Sequence, residues 1–448
     1  MKHKIIFIFL FFVFYLGMQI ASGSLTYKFE KDYSEGIYAA CSSLIDSDTL
    51  IYKDVFCIQP PLFYYIQNYL GGGLLSGRII SMMSLLGSLI VVYLITKRVT
   101  KSYKIGLLSS LFLLIMPFSF FWFSVGIGNT LMIFFSLLSI GFIVHGSSRR
   151  YVIISAITLF LATMTNYTAV IALLAILIYF MIKREYKSLG IFSLFYFVPL
   201  GLTFFLLNLI TGGEFYFLTL SFHSLKPWDL SQAKIINYFL FMIPEIPILA
   251  IAIYSIKKNL ISIYFVLILV LGSIIFFRAG SSTHYFLPLE ASMILVFGMA
   301  VKEFEKCKKV ILPVLLIQLF LALSISMVYF NGFLSNDKSY NEMIQEKVLN
   351  SQGNVISEYV SFSLNAKKPI FKNSLDPFGH RVLFEHELWN DTILIKEAEE
   401  NNVTLIIIGQ RFSLFPNFVR YLEENYDSEN MTYFLPPRHR LEQRIFTR

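Results

Sequence analysis

The feature that most constrains this chain is the recurrence of apolar runs, each close to the ~20 residues a helix needs to cross the hydrocarbon core of a bilayer. They fall at 5–22, 78–96, 105–123, 128–146, 151–165, 167–182, 188–210, 235–256, 259–277, 285–301 and 310–331. Composition agrees. Of 448 residues 56% are hydrophobic and only 15% charged, with 46 phenylalanines, whereas soluble domains carry about a quarter charged residues. One soluble core cannot hide that much apolar surface. The expected fold class is therefore an α-helical polytopic membrane protein with about eleven transmembrane helices.

The net charge of +8 would suggest a nucleic-acid partner in a soluble protein. Here the basic residues sit in short segments between the runs, so they set topology instead. Lys2 and Lys4 open the chain. Further clusters are Lys97, Arg98, Lys101 and Lys104; Arg149 and Arg150; Lys183, Arg184 and Lys187; Lys257 and Lys258; and Lys302, Lys306, Lys308 and Lys309. All fall on one side if 151–182 forms two spans rather than one long helix. That side is the cytoplasm by the positive-inside rule, which puts the N-terminus inside and the C-terminus outside a plasma membrane. Met1–Lys4 and Ile5–Ile20, followed by Ala21-Ser22-Gly23, also have the form of a signal peptide; the length of the apolar run favours a retained first span.

Three longer segments then lie outside: 23–77, 211–234 and the tail from 332. The tail is polar, with β-like runs at Asn354–Ser357 and Val403–Gly409 and helix-like stretches at Gln345-Glu346-Lys347 and Lys396–Asn401. It reads as a small α/β domain, 332–448, following a membrane domain, 1–331. Sequons at Asn390, Asn402 and Asn430 fit an external tail weakly. Of the three cysteines, Cys41 and Cys57 share the first external segment, where an oxidising compartment would permit a disulfide; two free thiols is the favoured reading. No Cys-x-x-Cys or other metal-ligand spacing occurs, and Gly71-Gly72-Gly73 precedes a span rather than following a strand, so it reads as a hinge and not a phosphate loop.

The 23–77 segment is the most informative. Ser34 can cap a helix carrying Ile37, Cys41, Leu44 and Ile45 on one face. Pro60-Pro61 can start a second, with Phe63, Tyr64, Tyr65 and Tyr69 at headgroup level. Asp32, Glu35 and Asp54 would thus be held at the membrane surface. By themselves they read as solvated loop carboxylates or helix N-terminal charges.

The motifs Glu35-Gly36-Ile37-Tyr38-Ala39, Tyr52-Lys53-Asp54 and Pro60-Pro61-Leu62, with Arg78 and Ser81, the Pro117 to Asn129 stretch and His284-Tyr285-Phe286-Leu287-Pro288, resemble the GT-C membrane glycosyltransferases. Within these the group of protein O-mannosyltransferases and lipid A aminoarabinose transferases is most similar, over about the first 300 residues. The resemblance implies a polyprenyl-phosphate sugar donor and a protein, lipid or glycan acceptor at the external face. It implies Glu35 as general base, with Asp32 second because Ser34 stands where the family usually has Asp. Asp54 would position acceptor or a divalent cation, and Gln59 stands where relatives have Lys or His. Asn129 occupies the place of a frequent second Asp, and an amide can hydrogen-bond a sugar but cannot act as a base. Arg78, His284 and Tyr285 would bind the donor phosphate, which needs cations or donors. Arg278 is as readily a snorkelling residue, and His223 and Lys226 lie in an external segment that could cover the donor. Glu245 and Glu290 lie inside spans, where ionisable groups usually face a cavity or a polar partner. A transporter of lipid-linked sugars is the competing class; it would show inverted repeats and midplane polar sites, and no clear repeat is present. An inactive scaffold of a glycosylation complex is the third reading, kept open by Ser34 and Asn129.

Overall fold

In the computed structural model, residues 2–303 apart from 47 and 147, a few positions between 313 and 324, and residues 338–435 and 439–448 are described. The expected span at 310–331 and Cys307 lie largely or wholly outside them. The chain is a polytopic α-helical membrane protein with a small strand-containing C-terminal domain.

Each of the other ten apolar runs is helical. Among the described residues, however, five helices rather than eleven are long and apolar enough to cross a membrane: Gly73–Thr100, Gly128–His145, Tyr186–Ile210, Gln232–Tyr254 and Thr283–Glu303. Ile5–Ala21, Tyr103–Ile115, Tyr167–Lys183 and Leu260–Phe276 are shorter apolar helices. Local chemistry explains much of the difference. The run at 105–123 is cut by Pro117, which starts a separate helix, Pro117–Trp122, because proline has no N–H to continue the preceding ladder. The run at 151–182 divides into two, as the charge pattern requires: Arg149–Thr163 ends, Asn166 accepts a hydrogen bond from the Thr168 N–H, and Val170–Lys183 begins. Burial then sorts the spanning helices. The apolar windows of Tyr186–Ile210 and Gln232–Tyr254 are 11% and 22% buried and form a lipid-facing rim, whereas that of Thr283–Glu303 is 89% buried and runs through the centre.

Helix α1 (Lys2–Ala21) leads into a segment that α2 (Tyr33–Ser43) and α3 (Leu62–Tyr69) pack onto the start of α4 (Gly73–Thr100). The cap of α2 is Asp32, whose Oδ1 accepts from the Ser34 N–H at 2.8 Å, and not Ser34 itself. Pro61 precedes α3 as expected. Cys41 and Cys57 are disulfide-bonded across a separation of 16 residues, which corrects the free-thiol reading: the turn at 44–56 brings two residues together whose proximity their spacing alone does not show.

The C-terminal domain is a four-stranded sheet in the order β1 (Asn354–Ser357), β2 (Val403–Ile408), β4 (His439–Thr447), β3 (Asp427–Leu435). β1 and β2 are parallel and β4 is antiparallel to both its neighbours. Ile356, Ile406, Ile408 and Phe446 face helices that contribute Leu394, Phe418 and Leu422. A second cluster joins Val355, Leu405 and Ile445 to Phe29 of the 23–77 segment, and Leu375, Val382 and Leu383 belong to the core of the membrane domain. The tail is thus packed onto the 23–77 segment.

Closing a loop of ~15 residues with a disulfide stabilises by about 3 kcal/mol. Cys41→Ser is expected to lower the thermal unfolding midpoint of the purified protein by several degrees, and reductant should do the same to the wild type but not to the variant.

Candidate functional site

A cavity of about 300 Å³ opens where α2, the 57–64 turn, the start of Gly128–His145, the 280–285 segment and the C-terminal domain meet. Of the residues singled out in the sequence, Asp32, Gln59, Asn129, His284, Tyr285 and Lys226 line it. Glu35, Arg78, Asp54, Arg278, Glu245, Glu290 and His223 do not.

All but Glu245 are held elsewhere by identifiable contacts. Glu35 is fully buried and forms a two-pronged ion pair with Arg78: Nε to Oε1 at 2.8 Å and Nη2 to Oε2 at 2.9 Å. Its Oε1 also accepts from the Gly126 N–H at 2.8 Å and its Oε2 from the Lys31 N–H at 2.7 Å. Four donors occupy the lone pairs of a carboxylate, so no acceptor site is left for a substrate hydroxyl. The approach of Gly126 requires two glycines, because a Cβ on Gly77 would meet Gly126 at 3.1 Å and one on Gly126 would meet Gly77 at 2.9 Å. Arg78 spends its remaining N–H groups on the carbonyls of Leu25, Tyr27 and Phe29, which leaves none for a donor phosphate. Beside the pair, Lys31 donates to Ser24 and Ser124, and the Glu30 carboxyl is buried against Gly36. Burial raises Glu35, but the charge and hydrogen bonds of Arg78, with Lys31, carry it below the usual carboxylate value. Glu30 has no such partner, and burial pushes it up to about 8.

Asp54 is exposed and its Oδ2 accepts from the Leu50 N–H at 2.9 Å, closing its own turn. No second ligand converges on it, and among the described residues no three His, Cys, Asp or Glu side chains form a group able to hold a metal ion; the donor set does not fit a divalent cation. Arg278 donates to the carbonyls of His223 and Ser224 and stacks on Trp228, while His223 is hydrogen-bonded to the Ile58 carbonyl at 2.8 Å. Together they fasten the 222–228 segment over the 57–64 turn. Glu290 accepts from the Phe118 and Ser119 N–H groups at 2.9 and 2.7 Å and from the Ser119 hydroxyl at 2.6 Å. It thereby caps Pro117–Trp122 at a depth where water cannot satisfy those donors. Glu245 is buried at the break between Gln232–Met242 and Ile246–Tyr254, beside Glu290 and away from the cavity.

The cavity residues have a different character. Asp32 uses Oδ1 to cap α2 and is raised by burial above the usual aspartate value, against the opposing pull of the Ser34 hydrogen bonds and the Arg411 charge. Lys226 lies with Nζ 5.2 Å from the Phe222 ring and 5.7 Å from that of Phe378. It forms no ion pair or hydrogen bond among the described residues, and burial pushes it down to about 8. Asn129 accepts from Asn166 Nδ2 at 3.4 Å, and its own Nδ2 and His284 Nδ1 are buried without a protein partner among the described residues. Tyr38, Tyr64 and Tyr285 complete the wall with aromatic surface.

Among the lining residues that went unmarked in the sequence are Tyr33, Asn166, Asp376 and Arg411. Asp376-Pro377 carries the signature of a helix start, realised as the cap of Pro377–Glu385, but a cap signal says nothing of which cavity the carboxylate borders. Nothing in the local sequence marks Arg411.

Neither a family profile nor a curated protein sequence matches the chain. Solved structures do. The chain is similar to ArnT from Cupriavidus metallidurans bound to undecaprenyl phosphate, with 14% identity, a TM-score of 0.67 and 98% of each chain covered. It is similar to the same protein in the apo state at a TM-score of 0.65. The oligosaccharyltransferase of Archaeoglobus fulgidus in its apo form matches with 12% identity and a TM-score of 0.55, over 98% of this chain and 74% of that one. At these identities the likeness is one of fold.

Removing one partner of a buried ion pair costs about 3–5 kcal/mol. Glu35→Gln and Arg78→Met are each expected to lower the yield of folded protein and the unfolding midpoint by more than any cavity substitution. Glu30 holds its proton in the folded state to about pH 8 but loses it near 4.5 when unfolded, so its ionisation weakens the fold as pH rises between those values. Glu30→Gln should therefore gain stability relative to wild type across that window, as read from unfolding midpoints of the two proteins at each pH.

Proposed function

We propose that this chain is a membrane glycosyltransferase that moves a sugar from a polyprenyl-phosphate donor to a hydroxyl of a protein, lipid or glycan at the external face. The observation that carries the reading is the pairing, in one cavity, of a carboxylate in reach of solvent, Asp32, with a lysine that forms no ion pair or hydrogen bond among the described residues, Lys226. Asp32 replaces Glu35 as the base because Glu35 has no lone pair to offer. The acceptor O–H gives its proton to Asp32 as the oxygen attacks the anomeric carbon. The bond from that carbon to the phosphate oxygen breaks, and its electron pair leaves with polyprenyl phosphate. Lys226 meets the charge that develops on the leaving group, where a cation is worth most. A single displacement of this kind inverts the anomeric centre. Asn129, Asn166, Gln59 and His284 supply hydrogen bonds to sugar and phosphate. Undecaprenyl phosphate, the molecule bound in the ArnT structure, is the form of carrier this reading favours.

The orientation is part of the proposal. The N-terminal end of α4 carries Arg78 under the cavity and its C-terminal end carries Lys97 and Arg98, so basic loops inside place the cavity outside. The Cys41–Cys57 bridge in the same segment fits an oxidising compartment. About eleven crossings, with the shorter apolar helices also traversing the bilayer, reconcile all the basic clusters with one side.

The test is to supply purified protein, in lipid, with undecaprenyl phosphate esterified to glucose, mannose or aminoarabinose, and to measure release of undecaprenyl phosphate with and without host membranes as acceptor. Wild type should turn over at least one donor. Asp32→Asn should lose about 10²–10⁴-fold in rate, the range of general-base contributions, while remaining folded. Activity should fall on the acid side at a higher pH than an exposed aspartate would give, because burial raises Asp32. Undiminished turnover by Asp32→Asn would remove the base assignment, and no turnover with any donor would remove the enzyme reading.

A further inference from the structure

The second carboxylate on the cavity comes from the C-terminal domain. Asp376 lies some 340 residues after Asp32 in the chain and is 2% exposed, yet it borders the same cavity. Its Oδ1 accepts from the Tyr33 hydroxyl at 2.8 Å and from the Gly379 N–H at 3.0 Å. Its Oδ2 accepts no hydrogen bond among the described residues. An ionised carboxylate is an acceptor only, so an oxygen without a donor at a cavity wall recognises a ligand that brings one. The surroundings say where that ligand lies. Phe378, two residues on, borders the cavity and sits under Lys226, and the Lys226 charge acts directly on Asp376. Asp376 therefore stands on the Lys226 side of the cavity, which the proposed function assigns to the phosphate.

Tyr33 joins the two domains at this point. The Arg411 guanidinium lies 3.8 Å from the Tyr33 ring centroid, and its Nη1 is 3.1 Å from Glu358 Oε1. Glu358 is itself buried and accepts from the N–H groups of Gly409, Arg411 and Phe412. The residue after Asp32 is thus gripped by its ring and by its hydroxyl, while Asp376 is also fixed independently by the Gly379 N–H that it caps.

We infer that Asp376 is a sugar-binding residue of this site, its Oδ2 accepting a hydroxyl of the saccharide attached to the polyprenyl phosphate, so that the C-terminal domain completes the donor site. The inference rests on the function proposed above for the same cavity. A sugar directly bonded to a phosphate at Lys226 has its ring hydroxyls next to the phosphate, where Asp376 is. The carboxylate absent at position 129 is in this way supplied from the other domain.

The experiment compares two ligands on three proteins. Equilibrium binding of undecaprenyl phosphate, and of undecaprenyl phosphate carrying glucose, mannose or aminoarabinose, is measured for wild type, Asp376→Asn and Tyr33→Phe in lipid nanodiscs. Asparagine keeps an oxygen for the Gly379 cap and for Tyr33 but turns the other oxygen into a donor. Asp376→Asn is expected to lose about tenfold in affinity for a sugar-bearing carrier that wild type binds and to bind the bare carrier as wild type does. Tyr33→Phe removes the interdomain hydrogen bond and should leave the ratio of the two affinities unchanged. Equal losses for both ligands, no loss for either, or a Tyr33→Phe ratio matching that of Asp376→Asn would overturn the inference. If wild type binds a sugar-bearing carrier with the expected Asp376 dependence but never releases undecaprenyl phosphate, the enzyme reading falls and this contact stands. If wild type binds no carrier at all, both fall.

Discussion

The Glu35–Arg78 ion pair is the interaction on which the rest of the site depends. It ties α2 to α4 and draws in the backbone of 25–29 through three carbonyls and that of Gly126 through its N–H. Four separate stretches of chain meet at one charge pair. A buried pair is stabilising only when its hydrogen-bonding capacity is filled, and here it is filled from the backbone. This is why Asp32, three residues before Glu35, has a fixed place at the cavity: its neighbours on α2 cannot shift without exposing charge.

The same logic recurs through the membrane domain. Glu290 ends a ladder that Pro117 interrupted, and Arg278 holds the carbonyls of 223 and 224 over the cavity. In each case an ionisable residue in or near the bilayer satisfies backbone groups that have no water to turn to. Charges in such places are markers of a special environment, but the environment is as often a broken helix as a ligand.

That explains what the sequence could and could not convey. Hydropathy located ten helices, and the basic clusters required two of them at 151–182, because both signals are local and periodic. Pro60-Pro61 announced α3 for a similar reason. The run at 105–123 reads as one span because a stretch of apolar residues does not record that Pro117 ends a ladder. For the site, Asp32, Gln59, Asn129, His284 and Tyr285 were singled out in the sequence and line one cavity. Glu35 ranks above Asp32 on the resemblance alone, which carries no count of the donors already facing a carboxylate. Asp376 and Arg411 were illegible: their part in the cavity depends on how a sheet folded from the last hundred residues docks on a tyrosine near the start.

The order of synthesis gives the Tyr33 grip a further consequence. Its two halves are separated by 343 residues in the chain, and contacts of such separation are slow to form. The membrane helices and the Cys41–Cys57 bridge can all be in place while one wall of the cavity does not yet exist. A chain still being made, or one whose C-terminal sheet has failed to fold, therefore lacks a closed pocket, and the completed domain acts as the final check on whether the molecule is competent to engage a ligand.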